Sequence, residues 1–359
     1  MTARTDGPVL VVGTGLLGAS IGLALRAVGV DVFLEDVSRG AVDLAADYGA
    51  GVPLPADGEP RLVVVAVPPD QIAEVAARCL ERFPRALVTD VGSVKQYPLA
   101  GLRDAGADLS RYLGSHPLAG RERGGAISAR ADLFLARPWV ISPHDGTAPD
   151  QVRVLEDLVL DVGATPVILG PAEHDASVGL VSHVPQLVAS AMAARLVPAP
   201  GAALGIAGQG LRDVTRIASS SPELWVQILG ANASAVVPVL DALAKDLATV
   251  ADALRDQDRA GARRAVAEVL AAGNAGVSRL PGKHGQDARF ASLVVLIDDR
   301  PGQIARLLTE IGELGINLED FRLEHSPGAP IGICEVAVLP EVRDRLEREL
   351  TTRGWRIAG

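Results

Sequence analysis

The sequence predicts an α/β protein in three parts: an N-terminal domain on a parallel sheet, an all-helical domain, and a small C-terminal α+β domain. Three observations carry this. Short apolar runs alternate with amphipathic helical stretches up to about residue 170, strand-like runs then vanish until about 280, and mixed patterns return from about 290. The length of 359 residues exceeds the roughly 250–300 at which a single core stops growing, so several domains are required.

Over residues 7–170, Val9–Val12, Val32–Leu34, Leu62–Val67, Ala86–Thr89, Tyr112–Gly114, Trp139–Ser142 and Pro166–Leu169 read as strands. Leu16–Val28, Arg39–Tyr48, Asp70–Phe83 and Asp150–Val162 read as helices between them. Strands that are apolar throughout, alternating with amphipathic helices, argue for a parallel sheet covered on both faces. Residues 171–280 are rich in Ala, Leu and Val at helical spacing, as in Asp175–Leu196, Leu224–Leu254 and Arg259–Ala272. Pro198, Pro200, Gly201 and a loop over Gly205–Asp213 punctuate this all-helical domain. Such helices bury their apolar stripe against a second subunit, so a homodimer is expected. In residues 290–359 the order is strand Ser292–Ile297, helix Gly302–Leu314, strands Leu318–Glu324 and Ile331–Val338, helix Glu341–Arg353 and tail Trp355–Ile357. That β-α-β-β-α-β order is ferredoxin-like, and the polar stretch Pro281–Arg289 reads as its linker.

Composition narrows the function. Hydrophobic residues at 48% and charged residues at 22% are the balance of a globular chain. A net charge of −10 lacks the basic footprint of a nucleic-acid binder. Cys79 and Cys334 stand far apart without metal-ligand spacing, which suits buried thiols in a reducing compartment and no metal site. The uncharged run Val9–Ala24 after Arg4 imitates a signal peptide, but Gly13, Gly15, Gly18 and Gly22 interrupt it and Arg26 closes it early. No other segment reads as membrane length, so a soluble cytoplasmic enzyme with no membrane partner is expected.

Gly13-Thr14-Gly15-Leu16-Leu17-Gly18 follows the first strand and opens the first helix. The first glycine permits a tight turn, the second admits a pyrophosphate, and the third lets helix and strand pack closely: the Rossmann dinucleotide fingerprint. Asp36 ends the second strand about 18 residues after Gly18, near the spacing of a carboxylate that binds ribose hydroxyls. Its charge repels a 2′-phosphate and favours NAD, whereas Arg39 would favour NADP; Glu35 and Asp36 could also be a solvated strand end. Val67-Pro68 turns the chain at the end of the third strand, where ligands bind in open α/β sheets.

Two more strand ends are polar. Asp90-Val91-Gly92-Ser93-Val94-Lys95 ends one, and Ser115-His116-Pro117-Leu118-Ala119-Gly120 ends the next. His116 there is either a proton acceptor near neutral pH or a capped loop histidine. These two runs, with Glu122, with His174-Asp175 and Ser182-His183-Val184-Pro185, and with Gly210-Leu211-Arg212-Asp213-Val214-Thr215-Arg216-Ile217-Ala218 continuing to Ser220, Pro222 and Trp225, resemble the prephenate dehydrogenase family in order over about residues 8–235.

The resemblance implies NAD-dependent oxidative decarboxylation of prephenate, or of its amino-acid counterpart arogenate, on the route to tyrosine. It makes His116 the base or hydrogen-bond acceptor, with Ser93 orienting it and the ring hydroxyl beside the cofactor. Arg216 would clamp a substrate carboxylate through its planar fork; read alone, it could instead pair with Asp213. Glu122, Ser182 and His183 would line the pocket, His183 otherwise being an ordinary buried histidine. Arg212 and Trp225 resemble residues that approach across the subunit interface. Gln186 stands where many prephenate-using members carry a second histidine, which opens the choice between prephenate and arogenate.

Asp298-Asp299-Arg300-Pro301-Gly302-Gln303-Ile304-Ala305 with Gly315-Ile316-Asn317 resembles the ACT amino-acid-sensing domain over about 290–357. That resemblance implies an effector site on Arg300, Pro301, Gly302 and Asn317, with tyrosine or another aromatic amino acid as effector; a purely structural pairing module is the alternative. Two rival readings are a β-hydroxyacid dehydrogenase and a non-enzymatic sensor. The first wants a catalytic lysine in the helical region, where Lys245 stands alone and without a fitting motif.

Overall fold

The computed structural model describes residues 3–120, 125–280, 290–325 and 331–358. The chain folds as two compact units, one running to Pro198 and including Thr215–Leu243, the other comprising Ala199–Val214 and the chain from Ala244 onward.

In the first unit, β1 (Val9–Val12), β2 (Val32–Glu35), β3 (Val52–Pro53), β4 (Leu62–Val65) and β5 (Leu87–Asp90) form a sheet in the order β3-β2-β1-β4-β5. The pairs β1–β2, β1–β4, β2–β3 and β4–β5 are all parallel. Period-two alternation divides its side chains. Val9, Val11, Leu62 and Val64 join one buried cluster with α1 (Leu16–Ala27) and α2 (Arg39–Asp47), while Leu10, Val12, Val63 and Val65 join another with α3 (Ile72–Arg82). Continuous apolar strands therefore reflect burial on both faces, as expected.

Two features were not legible. Helix α4 (Gln96–Asp104) contains Pro98 and Gly101, which mask its periodicity, and its first N–H groups are capped from far along the chain: Asp175 Oδ1 accepts from Lys95 N and Oδ2 from Gln96 N. The second is a correction to the all-parallel expectation. Strands β6 (Gly114–Pro117), β7 (Pro138–Ser142) and β8 (Thr165–Ile168) form a separate sheet in which β6 runs antiparallel to β7, linked to β5 by a Val88–Tyr112 bridge and by hydrogen bonds of Ser115 to Thr89 and Asp90. Among the described residues only a short 3₁₀ turn (Ala126–Ser128) lies between β6 and β7, and a parallel pair needs a longer crossover. Helix α5 (Pro149–Asp161) supplies that crossover between β7 and β8.

The helical stretch expected over 171–280 is divided between the units. Helix α6 (Pro171–Val178) passes through a π-helical turn (Gly179–His183) into α7 (Val184–Ala194). The whole run Pro171–Ala194 is long and apolar enough to cross a membrane, which corrects the expectation that no other segment reaches that length. It nevertheless carries buried His174, Asp175 and His183, all hydrogen-bonded within the protein. The expected loop Gly205–Asp213 is largely helical: α8 (Gly201–Gly205) is followed by α9 (Gln209–Thr215). The expected single helix Leu224–Leu254 is α10 (Pro222–Ala231) and α11 (Ala233–Arg255), bent by 98° at Asn232. Helix α12 (Ala262–Val277) follows.

The C-terminal part has the predicted order: β9 (Ala291–Asp298), α13 (Gln303–Glu313), β10 (Asp320–His325), β11 (Ile331–Val338), α14 (Pro340–Thr352) and β12 (Arg356–Ala358). Its sheet runs β10-β11-β9-β12, antiparallel throughout, the ferredoxin-like arrangement. It has its own core of Leu293, Val295, Ile297, Leu307, Ile311, Cys334, Val336, Leu346, Leu350 and neighbours. The linker expected over Pro281–Arg289 lies outside the described residues.

Candidate active site

Parallel strands all deliver their C-terminal ends to one edge of the sheet, where Gly13, Asp36, Val67, Pro68 and Ser93 follow β1, β2, β4 and β5. After β1, Gly13 turns at φ +97°, a left-handed conformation, and a Cβ on it would come within 2.4 Å of the Ala66 carbonyl oxygen. Gly18 is as constrained, since its Cβ would meet the Gly13 oxygen at 1.9 Å. Gly15 differs: a Cβ there would meet nothing within 4 Å, so its lack of a side chain leaves an open approach to the N-terminus of α1. No side chain caps that terminus and no acid stands in its first turn, which opens with Leu16 and Leu17. Its free N–H groups and dipole suit a pyrophosphate.

Asp36 completes this cradle. Its Oδ2 accepts from Thr14 N at 2.7 Å and Thr14 Oγ1 at 3.1 Å, and its Oδ1 accepts from Ser38 N at 2.9 Å. The carboxylate thus orders the glycine turn while staying half-exposed at its rim. Glu35, by contrast, accepts from Arg82 at 2.7 Å. Arg39 lies 94% exposed opposite Asp43 on its own helix. Val67 packs toward Gly13 and Pro68 stands exposed at the same edge. These groups fit NAD: an open glycine, a free helix N-terminus, and an acid where a 2′-phosphate would sit. Asp36→Ser is expected to lower kcat/KM with NAD and narrow its lead over NADP; a wild-type preference for NADP would give the pocket to Arg39 instead.

Beneath the next strand ends lies a buried polar cluster. Asp90 Oδ1 accepts from the Lys95 ammonium and from Gly92 N, and Oδ2 accepts from Tyr112 Oη at 2.6 Å. Lys95 and Asp90 are both essentially inaccessible. A buried pair of this kind needs its remaining lone pairs satisfied, and here Gly92 N on the loop and Tyr112 Oη supply partners. Ser93 is half-buried on that loop.

His116 ends β6 as a half-buried ring. Its Nδ1 lies 2.9 Å from His174 Nε2, and His174 Nδ1 lies 2.7 Å from Asp175 Oδ1. The orienting contact expected from Ser93 is not formed; among the described residues His116 is held by His174. The sequence reading named His174-Asp175 only as a motif and missed this relay. Its one signal was an adjacent His-Asp pair in an otherwise apolar helix.

His183 is buried in the π-helical turn and lies 3.0 Å from Asn232 Nδ2 and 5.9 Å, edge to face, from Trp225. Single-turn π bulges inside α-helices are frequent at functional sites because they re-aim side chains. Trp225 thus meets His183 edge to face within one chain. Ser182 is exposed beside His183, and Gln186 is buried one turn on, its Nε2 donating to Ser190 Oγ at 3.4 Å. Asn232, at the break between α10 and α11, was also missed. The position of α10 is set by its packing on the turn after Pro68, where Gln227 Nε2 donates to Asp70 at 3.4 Å.

Arg216 opens a 3₁₀ turn that packs against α7, and its guanidinium is exposed. No ion pair holds it among the described residues, and Asp213 instead accepts from Gln209 at 2.8 Å. Arg212 is exposed on α9, in the second unit. Glu122 lies outside the described residues.

Electrostatics favour neutral imidazoles. Burial first, then the neighbouring His174, Lys95 and His183, hold His116 well below its ordinary range. Burial lowers His174 against the opposing pull of Asp175 and lowers His183 to about 4. For Asp175, burial raises the carboxyl, but hydrogen bonds from His174, Gln96 and Lys95 outweigh it and leave it below the ordinary value. These three histidines, held below their ordinary range, make the fold acid-labile. Below pH 6.5 the unfolded chain takes up protons that the folded chain refuses, so stability falls as pH drops from 6.5 toward the folded values. For His183 the gap from 6.5 to about 4 amounts to at most about 3 kcal/mol. The Tm is expected to fall between pH 7 and 5, and to fall less in His183→Gln; equal pH sensitivity in both would contradict this.

The fold and the glycine-turn cradle define a nicotinamide-dinucleotide-dependent oxidoreductase. Comparison with known proteins gives the family. Residues 21–169 match the prephenate dehydrogenase nucleotide-binding domain, and residues 170–268 match the prephenate dehydrogenase dimerization domain. A probable prephenate dehydrogenase from Streptomyces niveus is 35% identical, with 96% of this chain and 98% of that protein covered. The prephenate dehydrogenase of Bacillus subtilis is 28% identical over 88% of this chain and 87% of its own length. The crystal structure of Aquifex aeolicus prephenate dehydrogenase with hydroxyphenyl propionate and NAD⁺ superposes with a TM-score of 0.66 at 26% identity, covering 76% of this chain and 99% of that one. This chain belongs to the prephenate dehydrogenase family and is an NAD-dependent dehydrogenase.

Proposed function

We propose that the chain is a prephenate dehydrogenase, converting prephenate to 4-hydroxyphenylpyruvate in tyrosine biosynthesis, with arogenate as the competing substrate. The observation that carries this is His116, neutral and held on the His174–Asp175 pair at the strand ends, with an exposed and unpaired Arg216 in the same unit. NAD, held by the glycine turn, the N-terminus of α1 and Asp36, would supply the acceptor for the hydride of the hydroxyl-bearing ring carbon. His116 takes up the hydroxyl proton. Arg216 binds a substrate carboxylate and orients the ring, and loss of carbon dioxide aromatises the product. His183, Ser182, Gln186 and Trp225 line the pocket, with Ser93 beside the ring hydroxyl; Arg212 and Glu122 keep their proposed roles on the resemblance alone.

Gln186 bears on the choice between a keto-acid and an amino-acid side chain. An amide offers both a donor and an acceptor, whereas a histidine cation in its place would favour a second anionic group. NADH formation with purified prephenate and arogenate, side by side, tests the reading: prephenate is expected to give the higher kcat/KM, and activity with neither would end it.

The domain limits proposed are 7–170, 171–280 and 290–359, with cytoplasmic location and a homodimer formed through the middle part. Apolar side chains left exposed on its helices, Leu180 at 59%, Val181 at 66% and Val226 at 70%, support that pairing. The C-terminal domain is proposed to be an ACT domain that binds an aromatic amino acid, tyrosine first. Gly302, at φ +88°, starts α13 beside Arg300 and Pro301 at the C-terminal end of β9. Strand register puts Asp320 level with Ser292, so Asn317 lies at the other end of the sheet. One copy therefore does not gather all four effector residues, and the proposed site requires two copies. Truncation after Leu280 is expected to leave a dimeric, active enzyme that tyrosine no longer restrains. Failure of intact protein to bind any aromatic amino acid in calorimetry would leave the domain a pairing module.

A further inference from the structure

We propose that Asp175 and Asn232 are positioning residues that set opposite tautomers on the two site histidines, making His116 an acceptor and His183 a donor toward the substrate. The inference rests on the dehydrogenase reading above and concerns residues outside its assigned roles.

Two groups in the cluster have a fixed hydrogen-bonding sense. An ionised carboxylate only accepts. Asp175 accepts from Lys95 N at 2.8 Å and Gln96 N at 2.9 Å, so it is anchored at the start of α4, and it also meets His174 Nδ1 at 2.7 Å. His174 therefore carries its hydrogen on Nδ1. In a neutral ring Nε2 is then bare, and it can only accept from His116 Nδ1, 2.9 Å away. His116 in turn carries its hydrogen on Nδ1 and presents a bare Nε2. Burial of all three rings keeps them neutral at pH 7.

The second chain starts from a carbonyl. Asn232 Nδ2 lies 2.9 Å from the Asp175 carbonyl oxygen and 3.0 Å from His183 Nδ1. The opposite amide orientation would set the Asn232 oxygen against that carbonyl, two acceptors face to face. The amide nitrogen therefore donates to both, His183 Nδ1 is bare, and its hydrogen sits on Nε2. Asn232 is only 1% exposed and occupies the bend between α10 and α11, so the break that the sequence pattern hid is what aims the amide.

The consequence is a polarised site held by one residue, Asp175, through its side chain on one side and its carbonyl on the other. When the substrate hydroxyl proton moves to His116 Nε2, the imidazolium formed shares its Nδ1 hydrogen with His174, whose own Nδ1 hydrogen faces the Asp175 charge. No proton is lost or gained by the relay. His183 Nε2–H remains a donor for a substrate oxygen.

Nitrogen-15 NMR of the full-length, histidine-labelled protein with NAD at pH 7.5 reads the tautomers directly, with His116→Gln and His183→Gln identifying the signals. Wild type is expected to show His116 protonated at Nδ1 with bare Nε2, and His183 the reverse. A neutral His116 protonated at Nε2 would overturn the proposal without any variant needing to fold. Asp175→Asn is expected to lower kcat by about 10²–10⁴-fold, as for a base deprived of its correct form, with NAD affinity unchanged. Asn232→Asp is expected to move the His183 hydrogen to Nδ1 and raise KM by about tenfold, the scale of one lost hydrogen bond, with a much smaller change in kcat. Wild-type kinetics and ring signals in both folded variants would equally overturn it.

Discussion

Replacing His116 by Asn is expected to leave NAD affinity intact while lowering the hydride-transfer rate by roughly 10²–10⁴-fold, the range for a lost general base. The effect is large because the ring that faces the strand ends is lost, His174 stays tied to Asp175 behind it, and His183 is turned by Asn232. An amide cannot accept a proton near neutrality, so the wild-type reaction would survive only if another group held the hydroxyl proton. The same histidine sets the pH dependence. Because burial and its neighbours hold it well below 6.5, it stays in the accepting form on lowering pH through the ordinary histidine range. The acid limb of kcat/KM is therefore expected below that range, with activity lost as pH falls through the depressed value. Stopped-flow measurement of NADH appearance separates the chemical step from binding; an Asn variant with most of its transfer rate would remove His116 from the chemistry.

Arg216→Ala is expected to weaken substrate binding by roughly 2–5 kcal/mol, the cost of leaving a desolvated carboxylate without its partner. The free guanidinium supports this, since no carboxylate of the described chain competes for it and Asp213 is bonded to Gln209. Lysine at this position is expected to restore little, because a point charge cannot make the planar two-pronged contact. The loss should appear in KM, with kcat less affected. An unchanged KM in Arg216→Ala would return the residue to an ordinary surface role.

Most of the elements could be read from the sequence because they are local. Apolar runs such as Val9–Val12 and Ile331–Val338, and the glycines at 13, 15 and 18, state their structure through sterics and burial that neighbouring residues suffice to show. What stayed hidden depends on distant partners. Helix α4 is capped by Asp175, about 80 residues later, and antiparallel β6 depends on which strand it meets. The bend at Asn232 falls inside a stretch whose apolar periodicity runs through it unbroken. The candidate site divides the same way. His116, Arg216 and Asp36 stand at recognisable positions after strands or within motifs, whereas the groups that orient the histidines, His174, Asp175 and Asn232, declare themselves only when the chain has folded. Asn317 and Arg300 show a complementary case: they belong to one motif, yet the register of β9, β10 and β11 sends them to opposite ends of a sheet within one copy.

The central claim is that this chain couples hydride removal from prephenate to loss of its ring carboxylate. The most direct test is the stoichiometry of a single reaction of purified enzyme with limiting prephenate and excess NAD. One equivalent each of NADH, carbon dioxide and 4-hydroxyphenylpyruvate per prephenate is predicted, and in His116→Asn all three should slow together by roughly 10²–10⁴-fold. Carbon dioxide released without matching NADH, or NADH formed without decarboxylation, would contradict the account.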